Sequence, residues 1–160
     1  MESTTTLAKF REILTPYLNA NERKATKMMF YRNRLKSFSS WPFSSTDKCT
    51  PENMATAGFY SISKLRNDTS VKCFCCLKEL DGWESMDDPW EEHKRHQKDC
   101  PYIKLNTVEQ QWTLEEWIDL QQAMAVKLLE IRLKSDLENL ESQLDMKQNQ
   151  LQKERRKRRK

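Results

Sequence analysis

The sequence of 160 residues contains only two glycines and five prolines, and it has no long run of apolar residues. With 37% apolar and 32% charged residues, this composition indicates a helix-rich chain with one modest core. No segment approaches the ~20 apolar residues that a membrane span needs, and residues 1–20 lack the apolar core of a signal peptide. We therefore expect a soluble intracellular protein that does not associate with a membrane.

Cysteine is also scarce, and the spacing of its five copies argues against a disulfide framework and for a reducing compartment. Cys73-Phe74-Cys75-Cys76 is followed after sixteen residues by His93 and, six residues later, by Cys100. Zinc prefers four sulfur or nitrogen ligands at tetrahedral corners, and three thiolates with one imidazole complete that shell. Because no position remains for a catalytic water, the pattern predicts a structural zinc site.

Spacing alone leaves two of the ligands open. Cys75 could replace one of its neighbours, although the two-residue gap between Cys73 and Cys76 fits a zinc knuckle better. His96 lies one helical turn before Cys100 and fits the pattern as well as His93 does.

Four motifs carry a resemblance to a known family: Arg34-Leu35-Lys36-Ser37-Phe38-Ser39-Ser40-Trp41-Pro42, Met54-Ala55-Thr56-Ala57-Gly58-Phe59-Tyr60, Lys78-Glu79-Leu80-Asp81-Gly82-Trp83-Glu84 and Asp87-Asp88-Pro89-Trp90-Glu91-Glu92-His93. With the cysteine spacing, they resemble the baculoviral IAP repeat, or BIR, domain over about residues 31 to 120. A long helix without a RING is similar to the survivin-like members. In that family the histidine ligand stands at the position of His93.

The fold expected is α+β, with a small zinc-binding BIR domain followed by one long C-terminal helix. Residues 59–62, 71–74 and 79–83 are the strand candidates for a three-stranded antiparallel sheet. Short helices are predicted at 22–36 after Asn21, from Thr50-Pro51, and from Asp88-Pro89 through His96 to about Cys100. We divide the chain into an N-terminal extension (1–20), the BIR domain (21–112) and the long helix with a basic tail (113–160).

The long helix begins at a capping box formed by Thr113 and Glu116, and residues 114–155 contain neither glycine nor proline. One apolar stripe runs along the start of this helix: Leu114, Trp117, Leu120, Met124, Leu128 and Ile131. A second apolar stripe follows coiled-coil spacing with one stutter: Val126, Leu129, Leu133, Leu137, Leu140, Leu144 and Leu151. A domain of this size cannot cover forty helical residues, which span ~60 Å. The stripe therefore requires partner helices.

Asp81, Trp83 and Asp87 lie beside or just beyond the last strand candidate, where an extended peptide could add to the sheet. The resemblance implies that these residues capture an N-terminal alanine, and that Lys78 and His96 read the phosphate of a phosphorylated histone tail. Solvated surface is the simpler interpretation of the acids, and ordinary helix surface that of His96. Ser85 and Met86 replace a proline and an acid typical of the family, which makes the groove less negative.

The resemblance also implies an interface, formed by Trp112, Leu114, Trp117 and Ile118 for a homodimer, and by Leu129, Leu133, Leu137, Leu140 and Leu144 for partner helices. Those partners would be borealin-like and inner-centromere-protein-like helices of a mitotic chromosomal passenger complex, with an Aurora-type kinase bound indirectly. The locations implied are the nucleus, centromere, mitotic spindle and cytoplasm. Caspase inhibition is the alternative function. We expect no enzymatic activity, because too few cysteines and histidines remain for a RING or a hydrolase.

The net charge of +4 is unevenly distributed along the chain. Residues 147–160 contain eight basic residues against Glu154, which gives +7 and leaves −3 for the remainder. Residues 79–99 contain eight acids against three basic residues. The basic tail fits a nuclear import signal, a contact with phosphate backbones, or a solvated helix end that complements the helix dipole.

Overall fold

The computed structural model describes residues 26–63 and 68–158. The predictions for residues 1–20, for the cap at Asn21 and for the last two residues of the basic tail lie outside these ranges. The elements in chain order are α1 (Tyr31–Lys36), α2 (Pro51–Thr56), β1 (Phe59–Ser61), β2 (Val71–Cys73), β3 (Glu79–Leu80), α3 (Pro89–His96), α4 (Pro101–Leu105), a 3₁₀ turn (Glu109–Gln111) and α5 (Leu114–Lys157).

The three strands form one antiparallel sheet in the order β1-β2-β3, and this confirms the predicted α+β class. Phe59 pairs with Cys73, and Val71 pairs with Leu80. The third strand ends at Leu80, earlier than predicted. It ends because Gly82 adopts a left-handed φ of +71° and donates its N–H to the Thr69 hydroxyl at 3.1 Å instead of to a strand.

Three helix starts have the caps that the sequence predicts. The Thr50 hydroxyl accepts from the Asn53 N–H at 3.2 Å, and the Asp88 carboxylate accepts from the first turn of α3. At α5 the capping box is reciprocal, because Thr113 accepts from the Glu116 N–H at 3.2 Å and the Glu116 carboxylate accepts from the Thr113 N–H at 2.7 Å. These bonds satisfy N–H groups that have no partner inside their helices.

Two predicted helices are wrong in extent. The helix expected over 22–36 is not continuous in its described part, since Phe30 is extended and α1 begins after it. The carbonyls of Met28 and Met29 accept from the Arg34 guanidinium, which takes the place of helical N–H donors. The helix expected to reach Cys100 ends at His96, because Gln97 leaves helical geometry with a φ of −152°, and Pro101 then starts a helix of its own.

Aromatic side chains fill the core between the sheet and α4. Phe74 packs against Tyr102 with ring centroids 5.0 Å apart, and Tyr102 packs against Trp112 at 5.9 Å. Gly58 adopts a φ of +89°, and a Cβ there would lie 2.7 Å from Cδ1 of Tyr102. Glycine is therefore required at this position by both the backbone and the close approach of the tyrosine ring.

The chain divides into two compact units, Met1–Met124 and Ala125–Lys160. Leu120 and Met124 of α5 are buried in the first unit. In the second unit the apolar residues of the stripe are exposed: Val126, Leu129, Leu133, Leu137, Leu140, Leu144 and Leu151. None of the helices in the described residues is both long enough and apolar enough to cross a membrane. The division into three segments stays a prediction.

Candidate functional site

Four donor atoms converge beside the sheet. They come from Cys73 at the end of β2, Cys76 in the following turn, His93 of α3 and Cys100 at the start of α4, and all lie within 4.8 Å of one another. Cys76 Sγ is 3.4 Å from His93 Nε2. A tetrahedral zinc ion with bonds of about 2.0–2.3 Å separates its ligand atoms by roughly 3.5–3.8 Å. The cluster is thus close to the size that zinc requires, and its three sulfurs and one nitrogen suit that metal.

The imidazole of His93 is fixed in orientation by a second hydrogen bond. Its Nδ1 lies 2.8 Å from the carbonyl oxygen of Ala57, which can only accept, so Nδ1 carries the proton. In the neutral imidazole this tautomer leaves the lone pair on Nε2, the atom that faces Cys76. A carbonyl that orients a histidine ligand in this way is typical of metal sites.

The thiols and the imidazole of the cluster shift one another's pKa values. Burial, with hydrogen bonds to Cys100 and Cys76, raises the pKa of the Cys73 thiol, whereas bonds from Cys73, Cys75 and Cys76 lower that of Cys100. Burial alone would lower the pKa of His93, but hydrogen bonds to Cys100 and Cys76 raise it to about 9. A divalent cation would displace these protons, so metal binding and proton release are coupled.

The turn between β2 and β3 forms the first half of the cluster. The Cys73 N–H donates to the Lys78 carbonyl at 3.0 Å, and the Cys75 N–H donates to Cys73 Sγ at 3.3 Å. Leu77 takes a left-handed φ of +60°, which closes the turn. The side chain of Cys75 is buried in the core and is not one of the four converging donors, so the structure brings Cys73 and Cys76 together as the paired thiols.

The two histidines of α3 have different surroundings. His93 is fully buried in the cluster, whereas the side chain of His96 is 43% exposed and lies 3.5 Å from the Glu92 carboxylate. Lys78 is likewise exposed, on the turn before β3. His96 and Lys78 therefore remain accessible to a ligand outside the metal cluster.

Trp83 is buried just beyond the edge strand β3. Its ring packs edge-on against Phe59 at 5.5 Å, and only 7% of the residue is exposed. Within the ranges that the structure describes, its indole Nε1 has no hydrogen-bond partner although the atom is buried. A buried donor without a partner costs about 1–3 kcal/mol, and this cost would be relieved by an acceptor at the site.

The two acids predicted beside Trp83 differ in their partners. Asp81 is exposed, whereas Asp87 is partly buried and its carboxylate accepts from the Glu84 N–H at 2.8 Å. Ser85 accepts from the Lys48 N–H at 2.7 Å, which ties this loop to the segment before α2. Met86 projects from the same loop and is 65% exposed. Neither carboxylate is fully buried in the free protein.

The predicted interface residues fall into two groups. Trp112 and Trp117 are partly buried and pack against the core, and the Trp112 indole N–H donates to the Thr107 carbonyl at 3.0 Å. Leu114 and Ile118 are 63% and 40% exposed. The five leucines predicted to contact partner helices are all exposed: Leu129, Leu133, Leu137, Leu140 and Leu144.

A buried arginine was missed in the sequence. Arg34 is 1% exposed, donates from Nε to the Ala55 carbonyl at 2.8 Å and stacks on Phe74 with 4.6 Å to the ring centroid. Its NH2 group lies 3.6 Å from the carboxylate of Glu109, which also accepts from the Tyr31 N–H. A single basic residue within an amphipathic helix gives no signal that it is buried.

Comparison with known proteins matches residues 34–104 to the family described as BIR, the Inhibitor of Apoptosis domain. The chain is 37% identical over 120 residues to Baculoviral IAP repeat-containing protein 5.2 of Xenopus tropicalis, covering 75% of this chain and 77% of that protein. It is 47% identical over 88 residues to protein 5.2-A of Xenopus laevis, covering 55% of this chain and 56% of the relative. It is 36% identical over 102 residues to protein 5 of Cavia porcellus, covering 64% and 72%.

Proposed function

Because the chain belongs to the survivin-like family of BIR proteins, we propose that it is a zinc-stabilised adaptor that binds peptides in a chromosomal passenger complex. In this proposal it reads a phosphorylated histone tail at centromeres and bundles its long helix with partner helices in mitosis. It acts in the nucleus, at the centromere and on the spindle, with a further cytoplasmic pool. It binds and positions other proteins and catalyses no reaction.

The metal in this proposal is zinc, held by Cys73, Cys76, His93 and Cys100. Zinc would supply a cross-link among β2, α3 and α4 rather than chemistry. A domain of about 70 residues buries too little apolar surface to be robust on its own, so a structural metal makes a large contribution to its stability. Ala57 supports the site by holding the His93 ring in place.

The observation that carries the peptide-binding function is the buried indole N–H of Trp83, which has no hydrogen-bond partner among the residues that the structure describes. It lies next to β3, the edge strand of the sheet, where an extended peptide can pair through its backbone. An acceptor on the peptide would satisfy this N–H, and the indole would form an apolar wall for a small first side chain. The nearby carboxylates of Asp81 and Asp87 suit a free ammonium group.

The phosphate of the same peptide is assigned to Lys78 and His96. Both side chains are exposed, and a lysine with a protonated histidine can donate to a phosphate dianion. The Glu92 carboxylate lies 3.5 Å from Nε2 of His96, on the same helix.

The exposed leucines of α5 form the second binding surface. Five leucines that are each more than half exposed on one helix are unusual for a monomeric protein, because such a surface is stabilised by burial against another helix. We assign this surface to borealin-like and inner-centromere-protein-like helices, through which an Aurora-type kinase is recruited. Leu114 and Ile118 are assigned to a homodimer contact.

Calorimetry with three peptides tests the groove. A peptide with a free N-terminal alanine and phosphothreonine at position three should bind at least tenfold more tightly than its N-acetylated form, since acetylation removes the ammonium. Lys78→Ala should weaken only the phosphorylated peptide, whereas Asp81→Asn should weaken the phosphorylated and plain peptides alike. Met86→Asp should strengthen both, because it restores a negative charge beside the amine.

The matched control is Lys94→Ala, which removes an exposed charge from the outer surface of α3 and should leave all affinities unchanged. Equal binding of the acetylated and free peptides would rule out the proposed groove.

A further inference from the structure

The C-terminal end of α5 carries a dense cluster of positive charge. We call residues 147–160 the basic tail. In its described part, 147–158, six residues are basic and one is acidic: Lys147, Lys153, Arg155, Arg156, Lys157 and Arg158 against Glu154. Every residue of this part is exposed, and α5 remains helical through Lys157. Among the residues that the structure describes, none of these six cations forms an ion pair.

This cluster exceeds what the helix itself needs. One or two cations in the last turn complement the helix dipole, at roughly 0.3–1 kcal/mol each. Further cations crowded within the same three turns repel one another, and a dense negative partner relieves this repulsion more fully than dissolved counterions do. The cluster therefore indicates a polyanion as its partner.

The segment immediately before the tail limits how far along α5 a polyanion can bind. Residues 136–145 contain four acids and no basic residue: Asp136, Glu138, Glu141 and Asp145. A polyanion is repelled from this acidic segment and attracted from Lys147 onward. The contact therefore covers ~18 Å of helix, from 1.5 Å per residue over 147–158, which matches about five base pairs of a duplex.

The composition of the tail distinguishes among polyanions. After Leu151 it contains no apolar residue, so it lacks the apolar face by which a helix enters a lipid surface. It also contains no aromatic residue on which the bases of a single strand could stack. Its cations lie on every side of the helix because they occupy consecutive positions 155–158. Such a helix suits the closely spaced phosphates of a duplex.

We propose that the basic tail binds the phosphate backbone of a double-stranded nucleic acid without sequence preference. About half of its eight cations can face a duplex at once, which gives roughly four phosphate contacts. Four contacts predict a slope of about −4 in log affinity against log salt, or about a hundredfold loss between ~50 and ~200 mM salt. This contact is independent of the peptide groove and of the leucine surface.

The test uses the full chain and fluorescence anisotropy with a duplex DNA of about 20 base pairs of mixed sequence. The tail variant is Arg155→Gln with Arg156→Gln, Lys157→Gln and Arg158→Gln, which preserves helix propensity. The control variant removes the same charge from exposed positions of the first unit: Lys27→Gln, Arg32→Gln, Lys36→Gln and Lys48→Gln. The tail variant should bind at least tenfold more weakly with about half the salt slope, and the control should retain both.

Three further binding measurements identify the chemical class of the partner. Duplex RNA of the same sequence establishes whether the A-form or the B-form backbone is preferred, and either preference supports the proposal. Polyglutamate and anionic vesicles should bind at least tenfold more weakly than the duplexes. Equal binding of polyglutamate, or an equal loss of affinity in the tail and control variants, would overturn the proposal. A tail variant that loses helicity by circular dichroism yet keeps its affinity for DNA would also overturn it and assign the tail to helix capping.

Discussion

Replacing His93 by alanine should abolish metal binding and unfold the first unit. The imidazole is fully buried, and its two nitrogens face Cys76 and the Ala57 carbonyl. Alanine removes one of four ligands, opens a cavity and leaves a buried carbonyl unpaired. His96→Ala removes only an exposed side chain paired with Glu92 and should retain the metal.

The size of the effect follows from these contacts. Removing a buried side chain of this size costs about 2–5 kcal/mol, and the orphaned Ala57 carbonyl costs about 1–3 more. Their sum, about 3–8 kcal/mol, is comparable to the roughly 4–11 kcal/mol expected for the whole stability of a domain of about 70 residues. The loss of zinc adds to it. The surface pair lost in His96→Ala is worth about 0–1 kcal/mol.

Zinc per chain, measured by metal analysis after dialysis, and thermal unfolding followed by tryptophan fluorescence test this expectation. His93→Phe fills the cavity beside Phe59 without supplying a ligand, so it separates the packing loss from the ligand loss. The His93→Phe variant should have a higher melting temperature than His93→Ala, yet it should bind no zinc. If His96→Ala loses zinc while His93→Ala retains it, the ligand assignment is wrong.

Three other changes have expected outcomes. Leu137→Glu with Leu144→Glu should abolish co-purification with partner helices and leave zinc content unchanged, and unaltered co-purification would refute the leucine surface. Burial raises the pKa of the Cys49 thiol from 9.0 to about 11, so the stability that it contributes is complete below pH 9 and is lost as pH rises through 11. Urea unfolding should show this decline in the native chain, and a Cys49→Ala variant with the same decline would contradict it. Gly58→Ala should cost about 2–5 kcal/mol from left-handed strain and the clash with Tyr102, measured by urea unfolding, whereas a cost below about 1 kcal/mol would contradict that packing.

Local signals in the sequence predict the elements of this fold well. Thr50-Pro51, Asp88-Pro89 and the Thr113 capping box each locate a helix start, because the capping group and the helix it serves are within four residues of each other. The cysteine and histidine spacing likewise predicts a four-ligand metal site, since zinc geometry restricts which spacings can close one shell. Spacing does not separate His93 from His96, and the family resemblance selects His93, which is the histidine that converges with the thiols.

Features that depend on distant contacts could not be predicted. Arg34 is buried because carbonyls before α1 and in α2 surround it and Glu109 approaches from a segment far along the chain. Nothing in the amphipathic pattern of α1 distinguishes this arginine from a solvated one. The early end of β3 is similar, because it depends on the hydroxyl of Thr69, which lies more than ten residues away from Gly82.

The short helix α4 connects the metal cluster to the start of α5. A change at the cluster should therefore affect α5 more than a change in α5 affects the cluster. Cys100 is both one of the four converging donors and the residue before α4, and Tyr102 packs two residues later against Trp112. Without the metal, Cys100 would no longer be held in the cluster. Tyr102 would then no longer be held in position against the residues that precede α5. Substitutions at Leu137 or Leu144 alter only exposed side chains of the second unit. Metal loss should therefore disturb the start of α5, while changes in the leucine surface should leave the metal cluster intact.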